Sequence, residues 1–150
     1  MRNIFSKELM DKDSFIEIIK TSSSDSEKYN SFFKPNNNLI NIFESSRLDL
    51  FYKIYFYNNL CGYFSLRGLD DGYIVPRFGI YIFEEYKSNK IGQYALAEAI
   101  KLSKCKKYEA LDLKVNKKNI RAIEIYKLFG FKKIKIEEGE DVYRLELKIV

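Results

Sequence analysis

Phe78-Gly-Ile-Tyr-Ile-Phe-Glu-Glu-Tyr-Lys-Ser-Asn-Lys-Ile-Gly-Gln-Tyr-Ala-Leu96 is the stretch that decides the fold: an apolar strand enters a short polar turn and leaves as an amphipathic helix. The turn carries Lys87, Lys90 and Gly92. It opens a helix whose first amides have no partner inside the helix, at the positive end of the helix dipole. Amides, dipole and lysines together describe an anion site, and a phosphate or pyrophosphate is the anion that suits it. An ordinary strand–loop–helix with solvated lysines reads the same way at this point.

Outward from that stretch the chain sorts into elements. The helix runs from about Asn89 to Lys104, with Gln93, Ala97, Lys101 and Lys104 on one side. Ile91, Ala95, Ala99 and Leu102 form the apolar stripe on the other. Upstream, Leu50–Tyr57 and Leu60–Leu66 read as strands around Asn58-Asn59, a dipeptide that tolerates positive φ and suits a hairpin. Asp70-Asp71-Gly72 is a second turn before a strand from Tyr73 to Ile82, where Pro76 suggests an edge or a bulge. Downstream lie a strand at Glu109–Val115 and a helix at Asn119–Phe129 that Gly130 stops. Two strands, Phe131–Ile136 and Val142–Ile149, follow around an acidic turn containing Gly139. The first third is less regular. Lys12–Lys20 is a helix capped by Asp13 or Ser14, and Thr21–Ser26 is a loop. Two short helical pieces follow, around Glu27–Phe33 and Asn38–Glu44, separated by Pro35. This order implies an α/β (α+β) sheet with a parallel element in its middle.

Composition narrows the function. A chain of 150 residues that is 46% hydrophobic fits one globular domain spanning 1–150, with no run long enough to cross a membrane. Its opening residues, Met-Arg-Asn-Ile-Phe-Ser-Lys-Glu, reach charge before a signal-peptide apolar region forms. Cys61 and Cys105 are isolated thiols that indicate neither a disulfide framework nor a zinc site, so a cytoplasmic location and no metal are expected. The absence of histidine removes Ser-His-Asp and Cys-His catalysis and the usual base near neutral pH. The net charge of +5 is scattered, densest from Lys101 to Lys107 and at Lys117 and Lys118. A solvated face explains those lysines, and an anionic small ligand explains the excess as well as nucleic acid does.

A second constellation lies in the last helix. Asn119, Ala122, Ile123 and Tyr126 share one helical face, with Asn119 as a cap and Tyr126 placing a phenol beyond Ala122. A plain Asn cap with core Ala and Tyr would look identical. The pattern gains weight because it repeats the first one, with a strand delivering a helix start to the same edge of the sheet.

With these residues the chain resembles the GNAT family of acetyl-CoA-dependent N-acetyltransferases over roughly its last two-thirds. Leu60-Cys-Gly-Tyr-Phe-Ser-Leu66 looks like the family's third strand, and Gly79-Ile-Tyr-Ile-Phe-Glu-Glu-Tyr86 like its fourth strand and exit. Leu113-Lys-Val-Asn-Lys-Lys-Asn-Ile-Arg-Ala-Ile-Glu-Ile-Tyr-Lys-Leu-Phe-Gly-Phe131 matches the C-terminal signature closely. Lys87-Ser-Asn-Lys-Ile-Gly92 falls on the phosphate loop, where Lys87 replaces the usual Arg or Gln and Lys90 the first Gly. The resemblance implies a mixed sheet of about six to seven strands flanked by helices. It implies that backbone groups of Tyr81 and Ile82 meet the pantetheine arm, and that Lys87 with the amides of Asn89, Lys90, Ile91, Gly92 and Gln93 holds the pyrophosphate. It also implies that Asn119 touches the cosubstrate, that Tyr126 protonates the departing thiolate, and that a strand N–H stabilises the oxyanion. No residue stands out as the base. The expected acceptor is a small-molecule or peptide amine, first a nucleotide-linked amino sugar. A protein N-terminus and a non-catalytic acyl-CoA-binding module are the alternatives, and a nucleic-acid role ranks last.

Overall fold

The computed structural model describes residues 4–25, 34–136 and 141–149. Seven strands form one sheet: β1 (Phe5–Leu9), β2 (Leu50–Phe56), β3 (Asn59–Arg67), β4 (Arg77–Ile82), β5 (Ala110–Asn116), β6 (Lys132–Ile136) and β7 (Val142–Lys148). Their order is β1-β2-β3-β4-β5-β7-β6, and every pairing is antiparallel except β4 with β5. Four helices accompany them: α1 (Lys12–Ser22), α2 (Asn37–Ser45), α3 (Ile91–Lys106) and α4 (Ile120–Leu128). The mixed sheet flanked by helices is the fold class expected from the sequence. The expected helical piece at Glu27–Phe33 and the turn at Gly139 lie outside the described residues.

Alternation along the strands gives the sheet two different faces. On one, Ile54, Phe64, Leu66, Phe78, Leu111, Leu113 and Leu145 pack with Ala95, Leu96 and Ala99 of α3 and Ile123 of α4 to make the main core. On the other, Phe51, Tyr63 and Tyr81 meet Phe15 and Ile18 of α1, with Leu39 and Phe43 of α2 against them. This second cover ends over β4. Past it the same face carries Arg77, Asp112, Lys114 and Arg144 where the apolar residues would otherwise stand.

Several boundaries differ from the sequence reading for identifiable reasons. Phe5–Leu9 was not expected to be a strand, because its Phe-Ser-Lys-Glu-Leu run has little apolar alternation; pairing with β2 supplies the missing stabilisation. The cap of α1 is Asp11, two or three residues before the expected Asp13 or Ser14. Its carboxylate accepts the Ser14 N–H at 2.8 Å and the Lys53 ammonium at 2.7 Å. The β2–β3 turn has its left-handed residues at Tyr57 (φ 48) and Asn58 (φ 66), one position earlier than expected. Pro76 marks neither an edge nor a bulge. It lies just before β4, an interior strand, where its missing N–H breaks no ladder and its carbonyl accepts the Asp112 N–H at 3.0 Å. Tyr73 and Ile74, expected within that strand, are exposed ahead of it. Among the described residues no helix is long and apolar enough to cross a membrane.

Asp11 couples helix start to sheet, and its hydrogen bond with Lys53 holds its carboxyl at about 2, below its ordinary 3.8. A lowered folded-state pKa contributes stability that is complete above about pH 4 and fades as pH falls towards 2. Asp11→Ala removes both the cap and the partner of a buried lysine, so unfolding in urea should show a loss of about 1–3 kcal/mol. Asp11→Asn keeps the cap and should lose less, with a flatter acid limb between pH 4 and 2 than the wild-type protein.

Candidate active site

β4 and β5 are joined by a single register pair, Arg77 with Asp112. Beyond it the parallel strands diverge toward their C-terminal ends, leaving a gap inside the sheet. The antiparallel ladder tells which backbone groups face that gap. Phe83 donates its N–H to the Cys61 carbonyl at 2.9 Å, so by alternation Tyr81 and Gly79 also turn their backbone groups to β3. A Cβ at Gly62 would collide with the Tyr81 carbonyl, which confirms where that oxygen points. Ile80 and Ile82 are therefore the residues whose backbone faces the gap.

On the main-core face the gap opens into a cleft of about 540 Å³ between β4, the start of α3 and α4. Of the residues singled out in the sequence, Ile82, Lys87, Lys90, Ile91, Gly92, Gln93, Asn119 and Tyr126 line it. Tyr81 does not. Its backbone faces β3, its side chain is 1% exposed in the second core, and its hydroxyl donates to Asp25 at 2.6 Å. Asn89 does not line the cleft either. Its side-chain amide donates to the Tyr86 carbonyl at 2.8 Å and the Lys87 carbonyl at 3.2 Å, stapling the turn. Arg121, at the first turn of α4, lines the cleft and was missed; one basic residue among many scattered ones gave no signal. No carboxylate among the described residues lines this cleft.

The helix start has the form of an anion site. A 3₁₀ turn at Glu84–Tyr86 ends β4, and the chain then reverses through left-handed Ser88 (φ 69) and Lys90 (φ 63). Lys90 is the N-cap of α3, with no side-chain hydrogen bond to the first amides, so the helix begins two residues later than expected. Left-handed residues at such an entry turn successive N–H groups inward. At Gly92 a Cβ would meet nothing within 4 Å, so the space in front of the first turn is open. Across the cleft, Asn119 caps α4 by accepting the Ala122 N–H at 3.3 Å. Two turns on, Tyr126 packs against Phe131 with ring centroids 5.9 Å apart. Burial pushes its phenol up to about 12, which keeps it protonated throughout the neutral range.

On the opposite face, the same stretch of β4 borders a second cavity of about 680 Å³. Gly79 lines this one and Ile80 the other, so neighbouring residues of β4 border the two spaces from opposite faces of the sheet. Asp112 lies here, 5% exposed, accepting from Arg77 Nε at 2.8 Å and from an Arg144 guanidinium nitrogen at 2.9 Å.

A family model described as the Acetyltransferase (GNAT) family matches residues 13–131. The chain belongs to this family. That membership makes it an acyltransferase and carries the acetyl-CoA cosubstrate expected from the sequence. No curated protein matches the sequence significantly. Among solved structures, spermidine N-acetyltransferase from Vibrio cholerae, in complex with CoA and spermine, superposes with a TM-score of 0.81 at 17% identity, covering 97% of this chain and 95% of that one. The Salmonella typhimurium protein YncA, solved with acetyl-CoA, gives 0.75 at 14% identity over 99% and 95% of the two chains. A GNAT-family acetyltransferase from Streptococcus pneumoniae gives 0.77 at 19%, over 97% and 99%. At such identities the likeness is one of fold.

The left-handed Lys90 is strained, since a side chain in this region costs about 1–2 kcal/mol. Lys90→Gly should therefore raise the stability of the ligand-free protein, by up to about 1 kcal/mol after the glycine's extra unfolded-state entropy is subtracted. An unchanged or lower Tm would mean that the lysine side chain holds the turn in some other way.

Proposed function

We propose that the chain is a cytoplasmic N-acetyltransferase that moves the acetyl group of acetyl-CoA to a primary amine by direct attack, with a nucleotide-linked amino sugar as acceptor. The observation that carries this reading is the opening between β4 and β5. It has an uncapped helix start and a phenol on one face and a cationic cavity on the other. Free Cys61 and Cys105 agree with a reducing compartment.

The residues on the cleft fit a long, doubly anionic thioester. The first amides of α3, including those of Ile91, Gly92 and Gln93, hold the pyrophosphate, with Lys87 and Lys90 adding charge. Asn89 serves by bracing the turn, and Tyr81 by anchoring β4 from behind. The backbone of Ile82, with Ile80, takes the pantetheine arm as an added strand would, and Asn119 touches the cosubstrate at the start of α4. Acetyl-CoA supplies an activated acyl group and a thiolate leaving group.

The neutral amine enters from the cationic face and attacks the thioester carbon through the opening; the C–N bond forms, the C–S bond breaks, and the nitrogen's surplus proton leaves to water. Tyr126 Oη gives its proton to the departing sulfur. Its raised pKa, which burial causes, guarantees that the proton is present. Asp112 is poorly suited to take the amine's proton, because two guanidinium groups already hold its carboxylate. The cationic cavity also argues against a polyamine acceptor, which would meet like charge there.

Tyr126→Phe should lower kcat by roughly 10²–10⁴ while KM for acetyl-CoA changes far less. The wild-type kcat should show no loss from Tyr126 ionisation until pH nears about 12. A Phe variant as fast as wild type would reduce Tyr126 to a packing residue. For the cosubstrate, CoA and acetyl-CoA should both raise Tm, and free pantetheine much less. Gly92→Asp places a carboxylate in the open space before α3, so it should weaken CoA binding at least tenfold and leave the folded state intact. Equal binding of CoA and pantetheine by the wild-type protein would overturn the phosphate-loop assignment.

A further inference from the structure

The β ladders set like charges face to face. In β3–β4 the direct partner of Arg67 is Arg77, and in β5–β7 the direct partner of Lys114 is Arg144. Like charges in such positions destabilise a strand pair, so the Arg67–Arg77 pair calls for a compensating charge. Both pairs line the cavity of about 680 Å³, which α2 walls on one side through Asn38, Leu39 and Ile42. Lys34 joins them at its rim. Among the described residues two carboxylates, Asp71 and Asp112, line the cavity with these five cations. Asp112 is engaged by Arg77 and Arg144, which it grips at 2.8 and 2.9 Å, so it orients their forks. Arg67 Nε is buried and meets no acceptor among the described residues. Buried Ser65, between Arg67 and Tyr63 on the same strand face, adds a neutral hydroxyl to the lining.

We infer that this cavity is an oxyanion-recognition subsite, in which Arg67 and Arg77 hold a phosphate or carboxylate group of the acceptor while its amine reaches the β4–β5 opening. Guanidinium forks suit such a group because they match two oxygens at once. Arg67 is the specificity-determining member: its Nε meets no acceptor among the described residues, whereas Asp112 already engages Arg77 and Arg144. The inference rests on the acetyltransferase reading of the neighbouring cleft, and it adds the residues that read the acceptor's negative group.

The test uses the whole protein saturated with CoA, so that the start of α3 is already filled. Inorganic phosphate, titrated by calorimetry at low ionic strength, should still bind, and Arg67→Gln should weaken it at least tenfold. Ligand-free Arg67→Gln should be as stable as wild type or more so, because the change relieves the repulsion from Arg77. In steady-state assays glucosamine, glucosamine 1-phosphate and the 6-carboxylate analogue of glucosamine form a matched set, with spermidine as the polycation. One of the two anionic members should exceed glucosamine in kcat/KM at least tenfold, and which one identifies the oxyanion. That ratio should collapse in Arg67→Gln, and spermidine should be the poorest substrate. No phosphate binding to the CoA complex, an unchanged affinity in Arg67→Gln, a marked fall in its ligand-free Tm, or a preference for glucosamine or spermidine would each overturn the inference. A failure to bind CoA at all would instead overturn the acetyltransferase reading on which it rests.

Discussion

Arg77 and Asp112 meet twice, once as register partners across the parallel strands and once through their side chains, and the geometry of the site follows from that junction. Above it, nothing ties β4 to β5, and the right-handed twist of two independently supported strands carries them apart. β4 is held on its other edge by six register pairs with β3, and β5 by seven with β7. Each half-sheet is therefore stiff while the seam between them is open. A gap within a sheet leaves backbone donors and acceptors unpaired in a partly apolar setting, which is costly unless something else pairs with them. An extended ligand arm with amide groups suits that vacancy as an added strand would.

The cover on the two faces explains why chemistry sits where it does. α3 and α4 span the main-core face and bring two helix starts to one cleft. α1 and α2 cover the other face only as far as β4, so β5 and β7 present charge on that side without burying it beneath a helix. A carboxylate 5% exposed would be untenable alone, and Arg77 and Arg144 make it tolerable by charge-assisted hydrogen bonds. Arg77 in turn stands opposite Arg67, whose Nε meets no acceptor among the described residues.

Local patterns made part of this legible in the sequence. The helix at α3, the cap and phenol of α4 and the Gly130 stop each depend on spacing within one element, which periodicity reads directly. What needed partners did not show. β1 is a strand because β2 pairs with it, and Asp11 rather than Asp13 or Ser14 caps α1 because its carboxylate also meets Lys53 across the fold. Tyr81 sits in an Ile-Tyr-Ile run whose alternation was visible, but which face met the cleft was set by the ladder with β3. The basic cavity was the least legible feature. Arg67, Arg77, Lys114 and Arg144 are scattered through four strands, and only long-range register places them together.

Lys90 has one further consequence, for the tempo of encounter. The strain of a left-handed lysine is present in every folded molecule, whether or not an anion has arrived. Its positive charge at the mouth of α3 acts before contact, drawing anions in from solution over about a Debye length, ~8–10 Å at physiological ionic strength. A glycine in this place would relax the turn and forgo the attraction. Position 90 thus exchanges a little equilibrium stability for capture speed, an exchange that fades as ionic strength rises.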